Sequence, residues 1–117
     1  MNATPVLAGV LVIAFGLLGS AKLAAAPAMR DRAEHVGYSV DAYRRIGVLE
    51  LLGVLGILVG IAVPVIGVLA ATGLILLLGG AVIVHLRNRD GLRELAPSLV
   101  LGAIALVFIL LMLGDLR

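Results

Sequence analysis

Apolar residues run along this chain in four long blocks, divided by two charged joints and one proline. A helix that crosses a bilayer needs about 20 mainly apolar residues. By that measure the pattern predicts spans at about 4–25, 42–62, 65–86 and 97–113. Between Ile46 and Val84 the apolar run is far too long for one span, and Val63-Pro64 is where it breaks. Proline lacks a backbone donor and disfavours helix at the residue before it. Spans two and three therefore form a tight hairpin.

The first joint is the longest. Pro27 suits the first turn of a helix and Gly37 its end. Met29, Ala33 and Val36 fall at i, i+4 and i+7, while Arg30, Asp31, Arg32 and Glu34 point elsewhere. This spacing predicts a short helix lying at the membrane surface, with Tyr38 and Tyr43 as interfacial anchors. An irregular polar loop is the alternative. Ser39 or Asp41 caps the second span. In the last joint, Arg87 to Glu94, the residues Asn88, Asp90 and Gly91 predict a turn. Pro97 is expected to open the final helix.

Composition decides the solvent. Of 117 residues, 62% are hydrophobic and 14% charged, with a mean hydropathy of +1.23. A soluble domain has roughly 45–50% apolar and about 25% charged residues. A chain this small cannot hide so much apolar surface inside itself. The expected fold class is therefore all-α, an integral membrane four-helix bundle forming a single transmembrane domain over 1–117, with the lipid bilayer as its main partner. Ala24-Ala25-Ala26 resembles a signal cleavage site, but no Lys or Arg precedes the first block and the one lysine follows it, so the block is expected to stay as a span. One Lys against eight Arg, with abundant Ala, Gly, Val and Leu, matches the protein composition of GC-rich bacteria.

Orientation follows from basic residues in the short joints. Arg30, Arg32, Arg44 and Arg45 lie in the first, and Arg87, Arg89 and Arg93 in the last. Only Arg117 opposes them, and the Pro64 hairpin carries no charge. Both termini are expected outside, with the charged joints in the cytoplasm: a multi-pass protein of the cell inner (plasma) membrane. Basic residues confined to joints do not describe a nucleic-acid surface, and no such partner is expected.

The ionisable groups inside the apolar blocks carry the candidate chemistry. Glu50 stands within Ile46 to Ile61, a run otherwise of hydrocarbon and glycine. A carboxylate there needs a partner, a proton or a water-filled cavity. Lys22 ends the first span and His85 the third. At 1.5 Å per residue all three lie within roughly 10 Å of the cytoplasmic boundary. Gly53, Gly56 and Gly60 on span two, Ala81 beside His85, and Gly9, Gly16 and Ser20 on span one mark the sides expected to pack. By that reasoning Glu50 and His85 point into the bundle, while Lys22 either joins them or snorkels to the interface. For Glu50 the plain alternative is a structural ion pair with Lys22 or Arg45. Arg45, Arg87 and Asp90 are secondary candidates. His35 sits in a solvated joint and is given no role. Without cysteine, thiolate chemistry and cysteine-held metals are excluded, and two histidines alone make no convincing metal site.

Three short segments resemble the DoxX-like family of small bacterial membrane proteins. They are Gly19-Ser20-Ala21-Lys22-Leu23, Gly47-x-x-Glu50-Leu51-x-Gly53, and Ala81-x-x-x-His85-Leu86 followed by Arg87-Asn88-Arg89-Asp90. The resemblance extends over nearly the whole chain. It implies a four-span fold, membrane location and, more loosely, association with quinone or a redox complex, since the family is named after a subunit of a quinone-reducing thiosulfate oxidoreductase. Lys22, Glu50 and His85 match its polar positions.

Three functions compete. In the first, Glu50, His85 and Lys22 hold a quinone head and manage its protons. No residue here carries electrons, so no cofactor is intrinsic and any redox step needs a partner subunit. The second is a structural or chaperone-like subunit of a larger membrane complex, or a homo-oligomer. The third is a small proton-coupled transporter. With only Phe15 and Phe108 as aromatics well inside the spans, Tyr43 lying at the edge of one, it lacks the aromatic faces that usually line a cation chamber.

Overall fold

A computed structural model describes residues 3–116. Arg117, the one basic residue counted on the far face, lies outside them. Five helices follow in order: α1 (Thr4–Leu23), α2 (Pro27–His35), α3 (Val40–Gly60), α4 (Pro64–Arg87) and α5 (Leu92–Asp115). No strand occurs among the described residues. The long axis measures 44 Å, close to the roughly 40–45 Å of a bilayer with its headgroups. The helices α1, α4 and α5 are long and apolar enough to cross a membrane. Interrupted by Asp41, Arg44, Arg45 and Glu50, α3 falls short of that measure.

The four long helices form a closed ring of neighbours, α1 against α3 and α5, and α4 against α3 and α5. At its centre sit Leu11, Phe15, Ile57, Leu74, Phe108 and Met112. Large apolar side chains such as Leu17, Leu69 and Leu76 face outward, each about two-thirds exposed or more. Such a surface suits lipid and not water.

Helix ends follow local chemistry. Ser39 caps α3 by accepting from the Ala42 amide at 3.0 Å. Pro27 and Pro64 open α2 and α4, and three residues, 61–63, make the hairpin. The short helix expected between the first two blocks is α2, with Met29 and Ala33 buried as the spacing requires. Gly37 ends it with φ +78°, so that the Tyr38 amide reaches back to the Ala33 carbonyl.

Two expectations need correction. The last helix opens at Leu92, not at Pro97. Gly91 is extended and Glu94 occupies the first turn, where an acid favours the positive helix end. Pro97 forfeits only the bond to the Arg93 carbonyl, at the polar end of the helix. The packed face of α1 is Thr4, Ala8, Leu11, Phe15 and Gly19, whereas Gly9 and Gly16 meet open space and Ser20 is exposed. The volume of Leu11 and Phe15 decides that face. The glycine stripe of α3 does pack. A Cβ on Gly60 would strike the backbone of Gly67, and one on Gly53 would meet Leu74.

Candidate functional site

Where α1 crosses α3, the contact is glycine on glycine. A Cβ on Gly47 would lie 2.7 Å from the Gly19 carbonyl oxygen, and one on Gly19 would lie 3.0 Å from that of Gly47. Only hydrogen fits there, which is why the helices approach so closely. Lys22 stands three residues past Gly19, and Glu50 three past Gly47. On a helix that spacing is one turn on the same side. The crossing thus sets the two side chains face to face, and Lys22 Nζ donates to Glu50 Oε1 at 2.6 Å.

The pair is well withdrawn from solvent, with side chains 13% and 4% exposed for Lys22 and Glu50. Lys22 therefore turns inward and does not snorkel. Its ammonium also lies 5.1 Å from the centroid of the Tyr43 ring, a cation–π distance. Tyr38 meets Tyr43 edge to face, with centroids 6.3 Å apart. Tyr43 thus faces the lysine directly and Tyr38 backs it, a role that their place beside charged residues did not reveal. Arg45 is exposed and forms no ion pair with Glu50, so the choice of partner falls on Lys22.

His85 does not join this pair. Its partner is Asp90, and the end of α4 explains why. Arg89 takes the left-handed conformation at φ +58°, which folds the chain back so that the Asp90 amide donates to the His85 carbonyl at 2.9 Å. The Asp90 carboxylate then lies against the imidazole, and His85 Nδ1 donates to Oδ2 at 2.6 Å. The same carboxylate receives His35 Nε2, at 3.0 Å to Oδ1 and 3.1 Å to Oδ2. Asn88 Nδ2 donates to the His35 carbonyl at 2.8 Å. His35, given no role by the sequence, ties the end of α2 to the α4–α5 turn. A hydrogen bond from His85 holds the Asp90 carboxyl below the usual carboxylate range, and the one from His35 acts in the same direction. Arg87 is exposed and makes no ion pair among the described residues.

The two clusters share one cavity of about 620 Å³. Lys22, Glu50, Tyr43, His35 and His85 line its polar part, and Phe15, Leu18, Leu77 and Leu101 its apolar part. That volume is in the range of small-molecule pockets, which are mostly apolar with a few placed polar groups. The three ionisable groups singled out in the sequence thus border one space, with only two of them in contact. The link from joint one to joint three also puts both charged joints at the same end of the ring.

Long outward-apolar helices around a polar cavity at one end define a helical membrane protein. Residues 6–108 match the model of the DoxX-like family, and the chain belongs to that family. No curated protein and no solved structure matches it.

Proposed function

We propose that α1, α3, α4 and α5 cross the inner (plasma) membrane of a bacterium as a four-helix bundle, both termini outside, and that the cavity at the cytoplasmic end holds a quinone head for a redox complex. The support for α3 as a span is its inward Glu50 and its outward Leu52, Leu55, Leu58 and Val59. The observation that carries the ligand reading is the paired Lys22 and Glu50 opening onto a cavity that also has an apolar side, with Phe15, Leu18, Leu77 and Leu101. A quinone head offers two carbonyl acceptors. Lys22 and the Tyr43 hydroxyl supply donors, and Glu50 can relay from the cytoplasmic side the two protons that two-electron reduction to quinol consumes. The apolar walls suit the prenyl tail. Electrons come from a partner subunit, since no residue of this chain carries them.

Quinone extraction from protein purified out of native membranes tests the ligand. The expected result is quinone bound to the wild type and reduced at least about tenfold in Glu50→Gln, the equivalent of roughly 1.4 kcal/mol. Wild-type protein with no quinone, and no uptake of added quinone, would overturn the reading. Topology has its own test. Seven basic residues in the two joints place a reporter fused after Asp90 in the cytoplasm and one fused after Arg117 outside. A cytoplasmic signal from the C-terminal fusion would refute the orientation.

A further inference from the structure

The quinone reading leaves one cluster unused, the two imidazoles gathered on Asp90. We propose that His35, His85 and Asp90 form a binding site for one divalent transition-metal ion of the zinc type, and that the ion pins α2 to the α4–α5 turn. One ligand atom from each residue can be chosen so that all three lie within 4.8 Å of one another. The facing atoms are His35 Nε2, His85 Nδ1 and the Asp90 carboxylate oxygens. Ligands around one ion at roughly 2.0–2.2 Å need a triangle of this scale. Movement of a few tenths of an ångström to about an ångström, most of it in the half-exposed His35, would admit the ion between them.

The donor set selects the class of ion. Two imidazoles and one carboxylate suit zinc, iron(II), cobalt or nickel, whereas magnesium and calcium prefer oxygen alone. The site is also held from behind, as such sites require. The Asp90 amide is fixed to the His85 carbonyl, and the His35 carbonyl to the Asn88 side chain. An ionised carboxylate only accepts hydrogen bonds, so each imidazole now turns an N–H toward Asp90. On metal binding those hydrogens move to the opposite ring nitrogens, and each neutral imidazole presents its lone pair to the ion. Three protein ligands leave a position for water, and both imidazoles line the cavity. Arg32 and Arg93 border the same cavity. Asp31 and Glu94 line it too and offset their charge, so coordination bonds and not a net local field must hold the ion.

The test uses full-length protein on a histidine-free tag, stripped with a chelator and titrated with Zn²⁺ or Co²⁺. Expected are one ion retained per chain by elemental analysis, thermal unfolding that moves upward with Zn²⁺, and a four- or five-coordinate Co²⁺ absorption spectrum. His85→Gln and Asp90→Asn should each weaken binding at least about tenfold, while Asp41→Asn, an exposed acid on α3, should bind like the wild type. If the trio is only a hydrogen-bonded strap, Zn²⁺ will leave wild-type unfolding unchanged and no ion will be retained, which overturns the proposal. Binding that survives in both His85→Gln and Asp90→Asn overturns it equally. The wild-type titration needs no variant to fold, and its outcome is independent of whether quinone binds.

Discussion

Glu50→Ala is expected to lower the stability of the purified protein by about 3 kcal/mol. Removing one member of a buried ion pair typically costs about 3–5 kcal/mol, because the remaining charge is left without a partner. The lower end applies here, since the unfolded chain in detergent or lipid also finds partners for its polar groups. The stranded charge is the Lys22 ammonium, whose nearest other support is the face of the Tyr43 ring. The double variant Lys22→Met, Glu50→Gln removes both charges at nearly constant volume and should recover most of the loss. It should not recover quinone. Thermal unfolding in detergent and quinone content, measured on the same samples, separate the two roles of the pair. If Glu50→Ala unfolds like the wild type, the pair does not hold the α1–α3 crossing together.

That Glu50 needs a partner was legible, but the sequence left Lys22 and Arg45 both open, and the crossing at Gly19 and Gly47 decides for Lys22. The apolar blocks hold one acid, and one lysine ends a neighbouring block at a matching depth. The four long helices were legible from the four-block pattern with one internal proline, while the short α2 was left open against an irregular loop. The partners of His85 were not legible. A hydropathy pattern gives depth and face, but the left-handed turn at Arg89 that brings Asp90 back onto His85 needs no glycine and leaves no mark in the pattern. His35 was missed for a related reason. Charge counting puts the two joints at one end without saying which polar groups meet across the gap. The packed face of α1 was misjudged because small residues show where helices can approach, not where they do. Glycine marks a real contact where it occurs on both partners, as at Gly19 and Gly47, a pair that the small-residue stripes had left out.

That crossing yields the second large effect. Gly47→Val is expected to cost at least about 2–3 kcal/mol. Overpacking a closed contact typically costs about 1–3 kcal/mol, and the upper end applies because the obstacle is backbone. A Cβ at position 47 meets the Gly19 carbonyl oxygen at 2.7 Å and the Leu23 amide nitrogen at 3.0 Å. Neither can rotate away as a flexible side chain would, so α1 and α3 must separate. Separation also draws Lys22 off Glu50, whose contact of 2.6 Å depends on the close approach one turn earlier. Gly16→Val is the matched control, because a Cβ at position 16 meets nothing within 4 Å, and it should stay within about 0.5 kcal/mol of the wild type. Part of the Gly47→Val cost should vanish in the Lys22→Met, Glu50→Gln background, where there is no ion pair left to pull apart. A coupling of about 0.5 kcal/mol or more between the crossing and the pair, read from that cycle by thermal unfolding, is the expected outcome. Equal stability of Gly47→Val and Gly16→Val would show that the helices do not meet at Gly19 and Gly47, and the placement of Lys22 against Glu50 would lose its cause.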